Sequence, residues 1–503
     1  MNCVALRLYD TRRRKKEDFV PLAPPKVSMY VCGITPYGPS HLGHARCYVV
    51  FDVLFRWLKA RGWDVTYVRN YTDIDDKIIN TANEEGVEAS EVAERCITSY
   101  IGDMDSLNVL RPDHEPRVTE TIPEIIDMID TLVKKSHAYT AEDGVWFDVS
   151  SAPEKFGLLT GQSLDQVRAG ASGRISGSGK RSHHDFSLWK AAKPGEPSWP
   201  SPFGQGRPGW HIECSAMSLK HFGETFDIHG GGHDLRFPHH ECEIMQSECS
   251  TGQEPVVTHW MHNGFVNMDG EKMSKSLGNV WTISEAIEQI PPLALRFALL
   301  NAHYRTPIDM SEALLEESRL NHQRLVMTYR TCIERAGQIE EADRARLPRP
   351  DKDSGVHIAR ALAELEAISE RISLALDDDV NTREAIQELL QARRSIEEVF
   401  ASETDSTSMC DFAKWSLEWL EECASTWLGL LPTRSEVTKQ IREHNDQVES
   451  IADEVELLLS ERTKVREEKD WNRADAIRDQ LNEMGVIVED GPDGPSWRLR
   501  SND

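Results

Sequence analysis

The 503-residue sequence contains no apolar run approaching the ~18 residues needed to span a bilayer, which excludes a protein anchored by apolar helices and predicts no membrane partner. Its opening, MNCVALRLYDTRRRKK, has no apolar segment followed by a small-residue cleavage site, so no secretory signal is expected. Asp10, Glu17 and Asp18 are out of keeping with an acid-poor mitochondrial presequence. The ten cysteines never occur as close pairs, which argues against a disulfide framework and predicts reduced thiols in a cytoplasmic setting. Basic residues are scarce: 57 Lys and Arg face 84 Asp and Glu, a formal net charge of -27. A nucleic-acid binder needs at least a local basic surface. The candidate lies near the C-terminus, where Arg462, Lys464, Arg466, Lys469, Arg473 and Arg478 are interleaved with acids, a pattern that fits a solvated helix equally well.

What is present is organised. Residues 28 to 110 alternate strand-like runs, Ser28–Gly33 and Asp64–Arg69, with the periodic stretches Ala45–Leu58 and Ala89–Asn108. Alternating β and α elements imply a parallel sheet with ligands at its carboxyl edge. A Gly/Ser loop (170–179) and a proline-rich stretch (193–209) punctuate a middle segment that reads as an insertion. Strand signals resume at 224–229 and 265–268, and from Leu293 to about Leu431 the pattern is almost wholly helical. A charged helix (436–469), a second helix (471–484) and a hairpin-like end close the chain.

Two short motifs carry chemistry. His41-Leu42-Gly43-His44 follows the first strand and opens the first helix. Unsatisfied N–H groups and the helix dipole at such a point suit an anionic phosphate. Lys272-Met273-Ser274-Lys275-Ser276 sets two lysines in a Gly- and Ser-rich loop able to close over a triphosphate. Each histidine taken alone reads as readily as a loop or cap residue; the two motifs together point to a nucleotide. Four dispersed side chains could also hold zinc: Cys32, Cys214 and the i, i+4 pair His239 and Glu243. The competing reading of any single cysteine is a small buried apolar residue. The stretch from His240 to Ile244 begins like the HExxH metalloprotease motif, but Ile244 replaces the second histidine and removes a ligand.

Long ordered strings, among them MYVCGITPYGPSHLGHAR, DIHGGGHDLRFPHHECEIMQSE, MDGEKMSKSLGN and KDWNRADAIRDQLNEMGVIVEDGPDGPSWR, resemble bacterial-type cysteinyl-tRNA synthetases of class I, over about residues 5 to 500. The resemblance implies an α/β fold: a Rossmann-like catalytic domain in two halves, 1–117 and 208–285, around an inserted domain, 118–207. After it come a stem region (286–325), a helical bundle (326–430) and a small α/β anticodon-binding unit (431–503). It implies one Zn²⁺ on Cys32, Cys214, His239 and Glu243, and ATP with Mg²⁺ against His41, His44 and the loop Lys272, Met273, Ser274, Lys275, Ser276. His41, His44, Lys272 and Lys275 are then catalytic, Thr72, Trp210 and His229 lie near the amino acid, and the partners are L-cysteine, ATP and tRNA(Cys), with the protein a monomer. Two departures stand out: Ser176–Gly179 where the family often carries acids, and Cys242 where asparagine is usual. A cysteine–amino-sugar ligase shares both motifs but lacks the C-terminal unit, and a non-catalytic paralogue would carry eroded motifs.

Overall fold

A computed structural model describes residues 5–163, 179–268, 270–273, 280–337, 356–402, 406–491 and 494–499. Four parallel strands lie in the spatial order Val257–Asn263, Phe226–Gly232, Lys26–Ile34, Asp64–Tyr71. Strands flanked by helices on both faces are buried on both, and along Lys26–Ile34 only Lys26, Ser28 and Gly33 escape full burial. The chain builds outward from Lys26–Ile34 to Asp64–Tyr71, then returns to the other side with Phe226–Gly232. Strand order therefore reverses between Lys26–Ile34 and Phe226–Gly232, the place where open α/β sheets bind ligands. Between the two halves in sequence lies a separate antiparallel sheet of Ala138–Ala141, Gly144–Phe147, Phe186–Ala191 and Gly206–Pro208.

The helix Leu42–Ala60 is apolar nearly all round and correspondingly interior, packed between the sheet and the helix Pro292–Leu300. Its acid, Asp52, sits in a buried charge cluster. Asp52 accepts from Arg56 Nε (2.7 Å), from the Leu110 N–H (2.8 Å) and from Arg296. Arg296 is fully buried and also donates to the carbonyls of Leu428 (2.9 Å) and Leu107 (3.0 Å). Removing one partner of such a buried set costs about 3–5 kcal/mol, and since Arg56 still faces Asp52 the low end applies. Arg296→Met is expected to destabilise the protein by about 3 kcal/mol, read as a lowered Tm. An unshifted Tm would show that the pair is dispensable.

Four helices, Glu312–Ala336, Val356–Asp377, Thr382–Phe400 and Ser406–Leu420, form the helical region. Its turn at Asp377, Asp378 and Asp379 grips the N-terminal part of the chain three times. Asp377 accepts from Trp57 Nε1 (3.0 Å) and Arg61 (2.8 Å), and Asp378 pairs with Lys16 (2.5 Å). Asp379 takes the Tyr9 N–H (2.9 Å), the Tyr304 hydroxyl (2.8 Å) and Arg305 (2.7 Å). The last unit, Arg434–Glu467, Trp471–Glu483 and the hairpin Val486–Gly491/Gly494–Leu499, has its own small core around Val455, Ile477, Leu481 and Val486. No helix among the described residues is long and apolar enough to cross a membrane.

Candidate active site and metal centre

A cleft of about 420 Å³ opens where the strand order reverses, over Cys32, Thr72, Trp210, Cys214 and His239 at one end and His41 and His44 at the other. Close strand approach shapes its floor. A Cβ on Gly33 would stand 1.5 Å from the Asn70 carbonyl oxygen, so only glycine fits where the pairing register shifts between Val31 and Ile34. The Gly33 N–H donates to Asn70 Oδ1 (2.8 Å), and the Tyr48 hydroxyl donates to the Cys32 carbonyl (3.3 Å).

Cys32 from the first strand, Cys214 from the helix Trp210–Phe222, and His239 and Glu243 from the helix His239–Thr251 bring one donor atom each within 4.8 Å of one another. All four are buried. The sulfurs are 3.6 Å apart, Cys32 Sγ lies 3.7 Å from Glu243 Oε1, and His239 Nε2 lies 3.0 Å from the same oxygen. Ligands around a tetrahedral ion with bonds of 2.0–2.3 Å stand roughly 3.3–3.8 Å apart, so the cluster has nearly the right size. Two sulfurs, an imidazole and a carboxylate are a donor set that suits zinc. Burial opposes charge at Cys214, but hydrogen bonds from Cys32 and His239 outweigh it and hold the thiol down at about 6. Burial and then the neighbouring Cys214 push the Cys32 thiol up. Glu243 stays far below the usual carboxylate range despite burial, because His229 and His239 face it. Charge of this kind in a dry pocket is what a dication would neutralise.

A second, overlapping donor set exists: Cys32, His229, His240 and Glu243. His240 Nε2 is 3.3 Å from Cys32 Sγ, and its Nδ1 meets His262 Nε2 at 2.8 Å, whose Nδ1 in turn meets Thr11 Oγ1 at 2.9 Å. His229 Nε2 lies 2.8 Å from Glu243 Oε2, with its ring stacked on Trp260 at 4.4 Å. Beside the quartet, the Trp210 ring stacks on His239 at 4.4 Å, and the Thr72 hydroxyl donates to Glu213 Oε2 at 3.0 Å.

The other end of the cleft departs from the sequence expectation. No free N–H is left in the first turn of Leu42–Ala60. Leu42 N–H bonds the Trp281 carbonyl (3.1 Å), Gly43 N–H bonds His41 Nδ1 (3.1 Å), and the N–H groups of His44 (2.8 Å) and Ala45 (3.2 Å) bond the His41 carbonyl. The reason is a capping box built from imidazoles: His41 Nδ1 serves the helix, and His44 Nδ1 accepts from the His41 N–H (3.3 Å). The rings stack at 3.8 Å. With Nδ1 accepting, a neutral ring must carry its proton on Nε2, so each histidine is set up as an Nε2 donor. The backbone donors expected at this helix start are therefore already engaged. Met273 lines the cleft, and Lys272 lies in the short strand Glu271–Lys272. The Lys272 side chain and Ser274, Lys275 and Ser276 lie outside the described residues.

Comparison with known proteins decides the family. Residues 18–320 match the family of class I (C) tRNA synthetase catalytic domains, and residues 449–498 match the cysteinyl-tRNA ligase anticodon-binding domain. The chain is 44% identical over 501 residues to a cysteine–tRNA ligase of Pelobacter propionicus, covering 99% of this chain and all of that one. It is 44% identical over 509 residues to that of Geobacter metallireducens, again 99% of this chain and the whole relative. The chain belongs to the cysteine–tRNA ligase family.

Among solved structures, Mycobacterium tuberculosis methionyl-tRNA synthetase in complex with methionyl-adenylate shares the class I fold, with TM-score 0.57, 17% identity, and coverage of 80% of this chain and 90% of that one. In this member of the cysteine–tRNA ligase family, reading the sequence missed Asn70, the His240–His262–Thr11 chain and His211, whose Nδ1 lies 3.0 Å from His239 Nδ1. The density of histidine between 229 and 262 was the available signal, but spacing alone could not sort ligands from their supports.

Proposed function

We propose that the protein activates L-cysteine with ATP and transfers the cysteinyl group to the 3′ end of tRNA(Cys). In the first step a substrate carboxylate oxygen bonds to the α-phosphorus as the bond to pyrophosphate breaks. In the second a terminal ribose hydroxyl attacks the activated carbonyl and AMP leaves. Charge builds on phosphoryl oxygens in the first step, so positioned donors and cations supply most of the acceleration. His41 and His44 donate from Nε2 to the phosphates, and Lys272 and Lys275 neutralise the developing charge. Met273, Ser274 and Ser276 complete the nucleotide contacts, with Mg²⁺ accompanying ATP. Thr72, Trp210 and His229 wall the amino acid.

The residues Cys32, Cys214, His239 and Glu243 hold one Zn²⁺, which when bound supplies a soft Lewis acid for the substrate sulfur. The chain's own part is to keep these donors dry, buried and correctly spaced. Serine, the nearest competitor, differs by one atom, and an apolar pocket alone would separate such near-isosteres by only ~100-fold. The observation that carries this reading is the convergence of those four buried donors, drawn from three elements, beside Thr72 and Trp210. The division into catalytic, inserted, stem, bundle and anticodon-binding units, a monomeric state and a cytoplasmic setting go with the same proposal.

The test is cysteine-dependent charging of tRNA transcripts, together with metal analysis of the purified protein. About one zinc per chain and charging of tRNA(Cys) are expected, and failure to charge overturns the proposal. Stripping zinc with a chelator is expected to abolish cysteine-dependent pyrophosphate exchange, with recovery on adding Zn²⁺ but not Mg²⁺. Full exchange by metal-free protein would remove the ion from the scheme.

A further inference from the structure

Two thiols of the metal quartet are already in contact. Cys32 Sγ and Cys214 Sγ stand 3.6 Å apart, both side chains are buried, and both line the cleft. We infer that this pair is also a redox modification site: cystine, the disulfide of the proposed substrate, enters the cleft and converts the two thiols into a disulfide that cannot hold zinc. The inference goes beyond the proposed function and rests on it for the choice of oxidant.

Geometry is the first reason. A disulfide needs its sulfurs about 2.05 Å apart, so the pair must close by roughly 1.5 Å. Two side chains from separate elements can cover that distance if the backbone of one of them can yield. Cys32 is such a place. The last register pair with Phe226–Gly232 joins Val31 to Gly230, and pairing with Asp64–Tyr71 passes from Val31 directly to Ile34. Cys32 is therefore skipped by both ladders, although it lies within the strand Lys26–Ile34. Its partner comes from the helix Trp210–Phe222, so no short loop between the two cysteines opposes their approach.

Access and chemistry are the second. Each half of cystine is the substrate itself with its sulfur capped, so a cleft that admits cysteine beside Thr72 and Trp210 brings a disulfide sulfur to the quartet. In the metal-free site one protein thiolate attacks that sulfur, the S–S bond of cystine breaks, and one cysteine leaves. The other protein thiolate then attacks the sulfur of its neighbour, and the second cysteine leaves. Two protein thiols are oxidised, one cystine is reduced to two cysteines, and the two thiol protons go to the departing cysteines. Of the four donors only His239 and Glu243 then remain, too few for a tetrahedral zinc site. Excess cysteine runs both exchanges backward, so the zinc content of the protein follows the ratio of cysteine to cystine.

The experiment incubates zinc-loaded full-length protein with cystine in the presence of a zinc-binding indicator, then maps thiols by alkylation and peptide mass analysis. Cystine is expected to join the peptides of Cys32 and Cys214, to make both thiols resist alkylation, and to stop the protein taking zinc back. Cysteine followed by Zn²⁺ is expected to restore the thiols and the metal. Glutathione disulfide, which offers no free cysteine half, is expected to react at least ~10-fold more slowly at equal concentration, the scale of one charge-assisted hydrogen bond to the amino acid. Cys32→Ser is expected to stop at a mixed disulfide that carries one cysteine on Cys214; where that variant does not fold, the wild-type peptide map decides alone. Cys32 and Cys214 still open to alkylation after cystine treatment, a bond joining other cysteines instead, or equal rates with the two disulfides overturns the inference and leaves the proposed function intact. A protein that charges no tRNA at all takes down the proposed function, and with it the reason for preferring cystine.

Discussion

Cys214→Ser is expected to lose most of the preference for cysteine over serine, falling towards the ~100-fold that an apolar pocket provides by itself. The substitution is nearly isosteric, and Cys214 is only 2% exposed, so the fold should tolerate it. What changes is the donor. Its bonds to Cys32 and His239 outweigh burial and lower the pKa of the Cys214 thiol, favouring the thiolate that binds a metal. A serine hydroxyl in its place stays protonated and is a harder, poorer partner for zinc. Zinc content should drop, and kcat/KM for cysteine should fall by ~100-fold or more, a loss at least as large as that seen when groups merely supporting a metal ligand are removed. Paired kcat/KM values for the two amino acids, with zinc measured on the same preparation, decide the matter. Unchanged discrimination in a folded, zinc-poor variant would break the link between metal and selectivity.

The other large effect belongs to Lys275→Ala, for which adenylate formation should slow by ~100- to 1,000-fold, the usual cost of removing one positioned donor to developing charge. Lys275 lies outside the described residues, and the described residues on either side of it are at the cleft. Met273 lines the cleft, and a Cβ built on Gly43 would stand 3.7 Å from the Met273 methyl group. Downstream, Thr282 bridges to His41, and the Ile283 N–H bonds the Ser40 carbonyl at 2.9 Å. Both ends of the loop are thus fixed beside the two histidines. Zinc content and the stability of the fold should be untouched, since the metal quartet lies at the other end. Pyrophosphate exchange at wild-type rate in this variant would remove Lys275 from the chemistry.

The fold was legible in the sequence where its pattern was local. Ser28–Gly33 and Asp64–Arg69 foreshadow the strands Lys26–Ile34 and Asp64–Tyr71, and the pattern 436–469 foreshadows Arg434–Glu467. The edge strand Val257–Asn263 was not marked, because Thr258, His259, His262 and Asn263 give it a polar look although most of it is buried. Its His262 serves a hydrogen-bonded chain, which hydropathy cannot register. The metal quartet was beyond any spacing rule, since Cys32 and Cys214 are 182 residues apart and meet only because the strand order reverses between their elements. The competing reading of His41 and His44 as cap residues is what the helix start shows; what the motif did not reveal is that these caps consume the backbone donors expected to meet phosphate.

The aspartate turn at 377–379 bears on how such a molecule can be recombined. Its carboxylates are matched to side chains of Lys16, Trp57, Arg61, Tyr304 and Arg305, so a helical region grafted from a distant relative would arrive without its counterparts. The last unit starts tied to the helical region, with Arg434 donating twice to Glu421 (2.7 and 2.6 Å) and Val437 in the main core, and buries its apolar residues in a core of its own only from Val448 onward. In chimeras, exchange after residue 441 should preserve a working catalytic half, whereas a crossover between 305 and 377 should leave three stranded carboxylates at the joint.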